Sequence, residues 1–498
     1  MKKLNFLYIA FLLVLMIPGG CKKDPEPPVV IEDASDEKKF IYDGLSTYYF
    51  WEKQVPALTN SIYESNEDSL NAFLNKYDDP EDLFYSLLYK YQEVDRFSFV
   101  VDDYAELDDW LAGISETVGI NFQLYYIDEG SNRLVGIIRY VYKDSPADLA
   151  GLKRGDIFTH INNQQLTDDN YQSLLFTNVS YTMGFADYNG TGFVSNGRSV
   201  PLTAIDLMEN PIYLDTILDV DGVKVGYLVY NGFNSSFDIR INTTYDIALN
   251  DVMGNFKDEN ISKLILDLRY NPGGYVNSAI YLASMIHSAN TSLIFAKTQF
   301  NDMLTSYYLT NYGQNYFNEY FQSSIAATEN SPATPINSIG LSEIYVITSS
   351  ETASASEMLI NGLRPYITVK QVGSNTYGKN VGSFTIKDYI DNAGTVNPRH
   401  KWAMQPVVLK IANSEDFSDF TNGLPPDIEA REYAVDLLPL GDPEEEMLKA
   451  CLDDIRGVKS AAVVRKSPFR SFKSTNDMSP VGRMMYIDKI PPLPQTVR

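Results

Sequence analysis

The residues equipped for covalent chemistry lie in Thr348-Ser-Ser-Glu-Thr-Ala-Ser-Ala-Ser-Glu-Met-Leu-Ile-Asn-Gly-Leu363 and in the Gly378-Lys379-Asn380 that follows. Ser354 is a candidate nucleophile, and Lys379, 25 residues later, is the candidate base for its proton. A free lysine titrates near pH ~10.4 and is a poor base at neutrality. Burial among apolar groups disfavours the ammonium and lowers that value by several units, which makes a neutral lysine available near pH 7. Plainer readings exist for the same residues. Ser354-Ala-Ser-Glu357 is also the pattern of a capping box at a helix start, and a glycine-flanked lysine in a loop is ordinarily solvated. Gly373-Ser-Asn-Thr-Tyr-Gly378-Lys379 has the spacing of a phosphate-binding loop. That loop needs Ser or Thr next and a helix to follow, whereas here Asn380 precedes Val381-Gly-Ser-Phe-Thr-Ile386, which alternates like a strand. The only histidines, His160, His287 and His400, carry no recognisable catalytic motif, so a Ser-His-Asp triad is not indicated. No clustered Cys/His spacing points to a metal, and no cofactor is implied.

Positioning these groups requires an α/β scaffold. Ile344-Tyr-Val-Ile347 reads as a buried strand, and Met358, Leu359 and Leu363 recur at helical spacing until Pro365. A turn of small residues therefore joins a strand to a helix, with N–H groups and the positive helix end converging on Ser354. A second strand, Ile367 to Gly373, leads to Lys379. Earlier, Val223 to Tyr230 and Lys263 to Arg269 read as strands, and Tyr245 to Phe256 and Val276 to His287 as helices. Asn271-Pro-Gly-Gly274 between them is a tight turn, or a place where backbone N–H groups approach a ligand oxygen, as an oxyanion hole requires. Trp402 to Lys410 reads as a further strand and Glu444 to Ile455 as a helix.

At 498 residues the chain exceeds one ordinary domain. A formal net charge of −25 argues against general nucleic-acid binding, and no nucleic-acid partner is expected. Residues 1–21 read as a targeting segment: Lys2 and Lys3, a short apolar run from Leu4 to Ile17, then Pro18-Gly-Gly-Cys21. This resembles a bacterial lipoprotein signal, which implies lipidation of Cys21, a membrane anchor and a location in the cell envelope. With Cys451 then the sole other cysteine, no disulfide framework exists. Residues 22–37 are a Pro-rich acidic tether. Residues 38–112 read as a helical domain without chemistry of its own, including an amphipathic helix from Leu83 to Tyr91. Residues 456–498 carry nine Lys/Arg against two Asp and read as a basic, solvated tail.

Residues 113–206 are β-rich. Val118 to Tyr126 and Arg133 to Val141 read as strands, followed by Ser145-Pro-Ala-Asp-Leu-Ala-Gly-Leu-Lys-Arg-Gly-Asp156 with a short helix begun by Ser145-Pro146 and ended by Gly151. The run resembles a PDZ domain in the ordering of bacterial proteases, and Gly119, Ile120, Asn121 and Phe122 match the loop that captures a peptide C-terminus by strand addition. PDZ, then Asp267-Leu-Arg-Tyr-Asn-Pro-Gly-Gly274, then Ser354-Ala-Ser-Glu357, then Gly378-Lys379 is similar to the C-terminal-processing (tail-specific) peptidases, the S41 serine peptidase family, over about residues 113–450. The resemblance implies a Ser354–Lys379 dyad and an oxyanion hole from Ala355 and Gly273 or Gly274. It also implies a ClpP/crotonase-like α/β protease core over 207–455, behind the helical and PDZ modules. Substrates would be proteins or peptides with exposed C-termini. The family often places Gln four residues after the lysine to orient it; here that position is Ser383, whose shorter hydroxyl could accept from the lysine. The expectation is an envelope-anchored serine endopeptidase, with a catalytically inactive peptide-binding lipoprotein as the alternative.

Overall fold

The computed structural model describes residues 31–128, 130–235, 243–391, 394–458, 467, 469–479 and 481–487. The targeting segment, Cys21 and most of the tether lie outside them. The chain is a mixed α/β, multidomain protein. At its centre is a six-stranded sheet in the order Ile212–Val220, Val223–Tyr230, Lys263–Asp267, Glu343–Thr348, Thr368–Gly373, Ile428–Glu429. From Val223–Tyr230 onward every pairing is parallel. Parallel strands are covered on both faces, and Leu264 to Asp267 and Ile344 to Thr348 are correspondingly buried without alternation. Helices Thr244–Asp258, Val276–Ile286 and Ala355–Leu363 share one apolar cluster on one side. Helix Glu446–Ile455 covers the other through Met447, Leu448, Cys451 and Leu452.

A second six-stranded sheet runs Gly274–Tyr275, Met485–Tyr486, Val381–Ser383, Val407–Asn413, Ile294–Phe300, Asn318–Tyr320. Instead of one strand from Trp402, the chain forms Ala403–Gln405 and Val407–Asn413 in different sheets. Pro406 between them has no N–H to donate to a ladder. The PDZ region is a third sheet whose backbone is Ile120–Tyr126, Leu134–Val141, Ile157–Ile161, Ser180–Tyr188 and Phe193–Thr203. It closes over its own core of Phe122, Leu124, Ile138, Phe158, Leu174 and Met183.

Two expectations need correction. The N-terminal region is not helical throughout: helix Pro80–Ser86 ends early, and Lys90 and Gln92 turn the chain with φ of 45° and 69°. Strand Phe99–Val101 then pairs with Ala403–Gln405. Nor is 456–498 a solvated tail where it is described. Ser471–Ser474 adds to the PDZ sheet and Met485–Tyr486 inserts into the second sheet. The basic count hid the apolar side chains Phe472, Met478, Met484 and Tyr486, which pack in the PDZ core and against Tyr275.

Candidate active site

Three neighbouring parallel strands, Lys263–Asp267, Glu343–Thr348 and Thr368–Gly373, end on the same side, and each hands its chain to one part of the site. Loops at the carboxyl ends of parallel strands are where α/β sheets bind ligands. The first loop carries Asn271 to Gly274, the second Ser354, the third Lys379.

Ser354 is fully buried, at the start of helix Ala355–Leu363, with φ 64° and ψ −115°. An ordinary helix cap is extended; this backbone is left-handed, which costs a non-glycine residue on the order of 1–3 kcal/mol and tends to mark functional turns. Ser354 Oγ has no hydrogen-bond partner among the described residues, so none of the three histidines holds it. The Ser354 N–H is tied down by the Glu357 carboxylate at 2.8 Å. That carboxylate also accepts the backbone N–H groups of Gly378 at 2.7 Å and Lys379 at 2.8 Å, and the Thr376 hydroxyl. One buried carboxylate thus fixes the backbones of both Ser354 and Lys379. Burial pushes Glu357 up, while the Thr376 hydroxyl and the three N–H groups favour its ionised form. The sequence shows Glu357 only as a capping partner, because its second set of bonds joins residues 21 and 22 positions away.

Lys379 is buried, and the loss of solvent pushes its ammonium down to about 7. Asp95 and Glu357 oppose that fall, while Arg96 and Arg483 add to it. Its Nζ lies 4.7 Å from the centre of the Phe97 ring, and Arg96 donates to the Gly378 carbonyl at 3.3 Å. The N-terminal region therefore does supply part of the site, contrary to its reading as a module without chemistry. Nothing local in Asp95-Arg-Phe97 signals this; the contact spans more than 280 residues.

Asn271 organises the glycine turn. Its Oδ1 accepts the Gly273 N–H at 2.9 Å, its Nδ2 donates to the Tyr230 carbonyl, and its own carbonyl accepts the Ala353 N–H. The Gly273 N–H is consequently used inside the turn, whereas the Gly274 N–H points to the Met484 carbonyl at 2.7 Å. Glycine is required here: a Cβ on Gly273 would meet Ser354 Cβ at 2.6 Å and the Met484 oxygen at 2.8 Å, and one on Gly274 the Phe233 oxygen at 2.4 Å. Ala355 is buried in the first turn of the helix after Ser354. The strand end is anchored by Arg269, fully buried and paired with Asp267, Glu445 and Glu432. Burial pushes Glu432 up, but Arg154 and Arg269 outweigh it and hold its carboxyl well below the usual range.

Not every expected contact forms. Lys379 Nζ donates to the Arg483 carbonyl at 2.7 Å and not to Ser354. Ser383 does not serve the lysine either: its hydroxyl donates to the Met485 carbonyl and accepts from Gln405 Nε2 at 3.2 Å. It lies on strand Val381–Ser383, where its hydroxyl is taken up by these two neighbours. Gly119, with φ 85°, Ile120, Asn121 and Phe122 sit at the start of the PDZ strand Ile120–Tyr126, apart from the dyad. A cavity of about 360 Å³ runs between Ile120, Asn121 and Phe122 and the Gly273–Gly274 turn, lined also by Asn231, Met478 and Met484.

The sequence matches the family model for peptidase family S41 over residues 224–430, that for the S41 N-terminal domain over 36–99, and a PDZ domain model over 137–176. Among curated relatives, a "Probable CtpA-like serine protease" of Staphylococcus epidermidis is 23% identical over 261 residues, 52% of this chain and 45% of that one. The protein of the same name in Staphylococcus aureus is 23% identical over 268 residues, with the same coverage. The chain thus spans about half the length of the curated relatives it matches. A crystal structure of a Bacteroides fragilis protein named as an S41 protease superposes with a TM-score of 0.65 at 24% identity, over 87% of this chain and 99% of that one. That likeness concerns the fold. With its glycine turn, strained serine and buried lysine on three adjacent strand ends, the chain belongs to peptidase family S41.

Proposed function

We propose that this protein is a serine endopeptidase working through a Ser354–Lys379 dyad. Neutral Lys379 takes the proton of Ser354 Oγ as that oxygen attacks the carbonyl carbon of a peptide bond. The carbonyl oxygen becomes an oxyanion held by the Gly274 and Ala355 N–H groups at the positive end of the helix. Lys379 returns the proton to the leaving amine, and an acyl-enzyme on Ser354 remains. Water then repeats the sequence and frees the serine. Gly273 shapes the turn, and Ser383 has no part in the proton transfer, its hydroxyl being held by Met485 and Gln405.

The observation that carries this reading is the state of Lys379: buried, pushed down to about 7, and fixed through Glu357 to the backbone of Ser354. A lysine serving only structure would have a carboxylate partner, since an unpaired buried ammonium is costly. The alternative of an inactive peptide-binding protein leaves that environment without a purpose. We further propose that the PDZ loop Gly119–Phe122 binds substrate C-termini, and that lipidation of Cys21 anchors the protein in the cell envelope. The test is mass mapping of a fluorophosphonate adduct. Attachment to Ser354, lost in Ser354→Ala and slowed in Lys379→Ala, is the expected result. Attachment to Ser356 in the parent would overturn the choice of nucleophile.

A further inference from the structure

Residues 469–479 and 481–487 lie along both peptide-binding surfaces at once. Strand Ser471–Ser474 adds antiparallel to the free edge of Ile120–Tyr126, with Ser471 opposite Tyr125 and Ser474 opposite Gln123. Its chain direction therefore runs toward Gly119, the direction a C-terminal peptide takes when it adds to a PDZ strand. At the loop itself the Phe122 N–H is taken by Thr475 Oγ1 at 2.9 Å. Phe472 fills the groove edge, its ring 5.3 Å from Tyr126 and 5.2 Å from Tyr171.

The same segment then crosses the dyad. Met485–Tyr486 inserts parallel to Gly274–Tyr275 on one side and to Val381–Ser383 on the other. The Met484 carbonyl takes the Gly274 N–H, and the Arg483 carbonyl takes Lys379 Nζ. The oxyanion donor and the base are both engaged, and Ser354 Oγ is left with no acceptor for its proton. Between the two seats the segment is pinned to the serine loop: Glu351 accepts from Ser474 Oγ at 2.9 Å, Asn476 Nδ2 at 3.0 Å and Arg483 at 3.2 Å.

We propose that residues 469–487 are a tethered peptide ligand that holds the protein latent, and that a substrate's extended C-terminal segment must displace it from both seats. This rests on the peptidase reading for its consequence, but not for the binding itself. The seat also defines what displaces it: an extended strand with an apolar side chain at the position of Phe472, and further apolar side chains where Met484 and Tyr486 pack against Tyr275.

The test uses the full chain with Cys21→Ser. Phe472→Asp weakens the PDZ seat without touching Ser354 or Lys379. Its rate of fluorophosphonate labelling at Ser354, and its cleavage of casein, should rise about tenfold, equal to about 1.4 kcal/mol. A second variant, Tyr125→Cys with Ser471→Cys, joins residues already opposite each other in the ladder. Its oxidised form should label and cleave at least about tenfold more slowly than its reduced form. Equal rates for parent and Phe472→Asp, with unchanged melting temperature, would overturn latency, as would equal rates for the locked and reduced forms. If no form labels or cleaves, the peptidase reading fails, and a fluorescent peptide of residues 469–487 decides the seat. Binding to Phe472→Asp in preference to the parent supports it, and equal or absent binding to both overturns it.

Discussion

Glu357→Gln probes the device that makes the dyad a unit. The carboxylate accepts four hydrogen bonds, from the Ser354, Gly378 and Lys379 N–H groups and the Thr376 hydroxyl. A glutamine oxygen in place of Oε1 can keep Gly378 and Thr376. Its amide nitrogen then faces the Ser354 and Lys379 N–H groups, donor against donor. A hydrogen bond to a charged acceptor is worth roughly 1.5–3 kcal/mol, so two lost bonds amount to roughly 3–6 kcal/mol gross. Burying an amide in place of a carboxylate recovers part of this, and a net loss of about 2–3 kcal/mol is expected in urea unfolding. The catalytic effect is separate. The left-handed Ser354 backbone and the Lys379 backbone would relax independently, and a displacement of about 1 Å costs about a hundredfold in rate. The loss should fall on kcat with KM little changed, since no substrate contact is removed. A Glu357→Gln protein with parental stability and kcat within about threefold would refute the reasoning.

Other consequences can be checked alongside. Because Lys379 must be neutral to act, kcat/KM should rise with pH through an apparent value near 7; a profile flat from pH 6 to ~9 would contradict this. The lowered value also means the unfolded chain holds the lysine proton more tightly, so this group favours folding increasingly as pH rises from about 7 to ~10.4, and Lys379→Met should be stabilising at neutral pH. Phe97→Ala admits water to Nζ; the gain in solvation outweighs the lost ring contact, and the pH profile should move roughly one unit alkaline. Arg269→Met strands Asp267, Glu445 and Glu432 in the interior, with a loss of about 3–5 kcal/mol in chemical unfolding.

What could be read from the sequence and what could not divide along the range of the interactions. The strand, turn and helix around Ser354 follow from local apolar spacing, and so does the turn at Asn271 to Gly274. Lys379 could be singled out because a glycine-flanked lysine follows a strand. Its lowered pKa could not, since the Phe97 ring over Nζ and the charges of Arg96 and Arg483, which add to the effect of burial, come from distant parts of the chain. Glu357 was visible as a cap, yet its bonds to the lysine loop depend on two strands lying side by side. Charge counting is least informative at 456–498, where, among the described residues, the apolar side chains Phe472, Met478, Met484 and Tyr486 decide where the segment packs. The position of Ser383 in the motif suggests a lysine partner, but its hydroxyl is taken up by Gln405 and the Met485 carbonyl.

The most direct measurement is hydrolysis of casein by the parent chain beside Ser354→Ala and Lys379→Ala, after release of the C-terminal segment by Phe472→Asp in all three. The expected result is cleavage by the first alone, with a loss of roughly 10⁴-fold or more in each dyad variant. Cleavage that survives Ser354→Ala would contradict the assignment of the nucleophile, and with it the central claim.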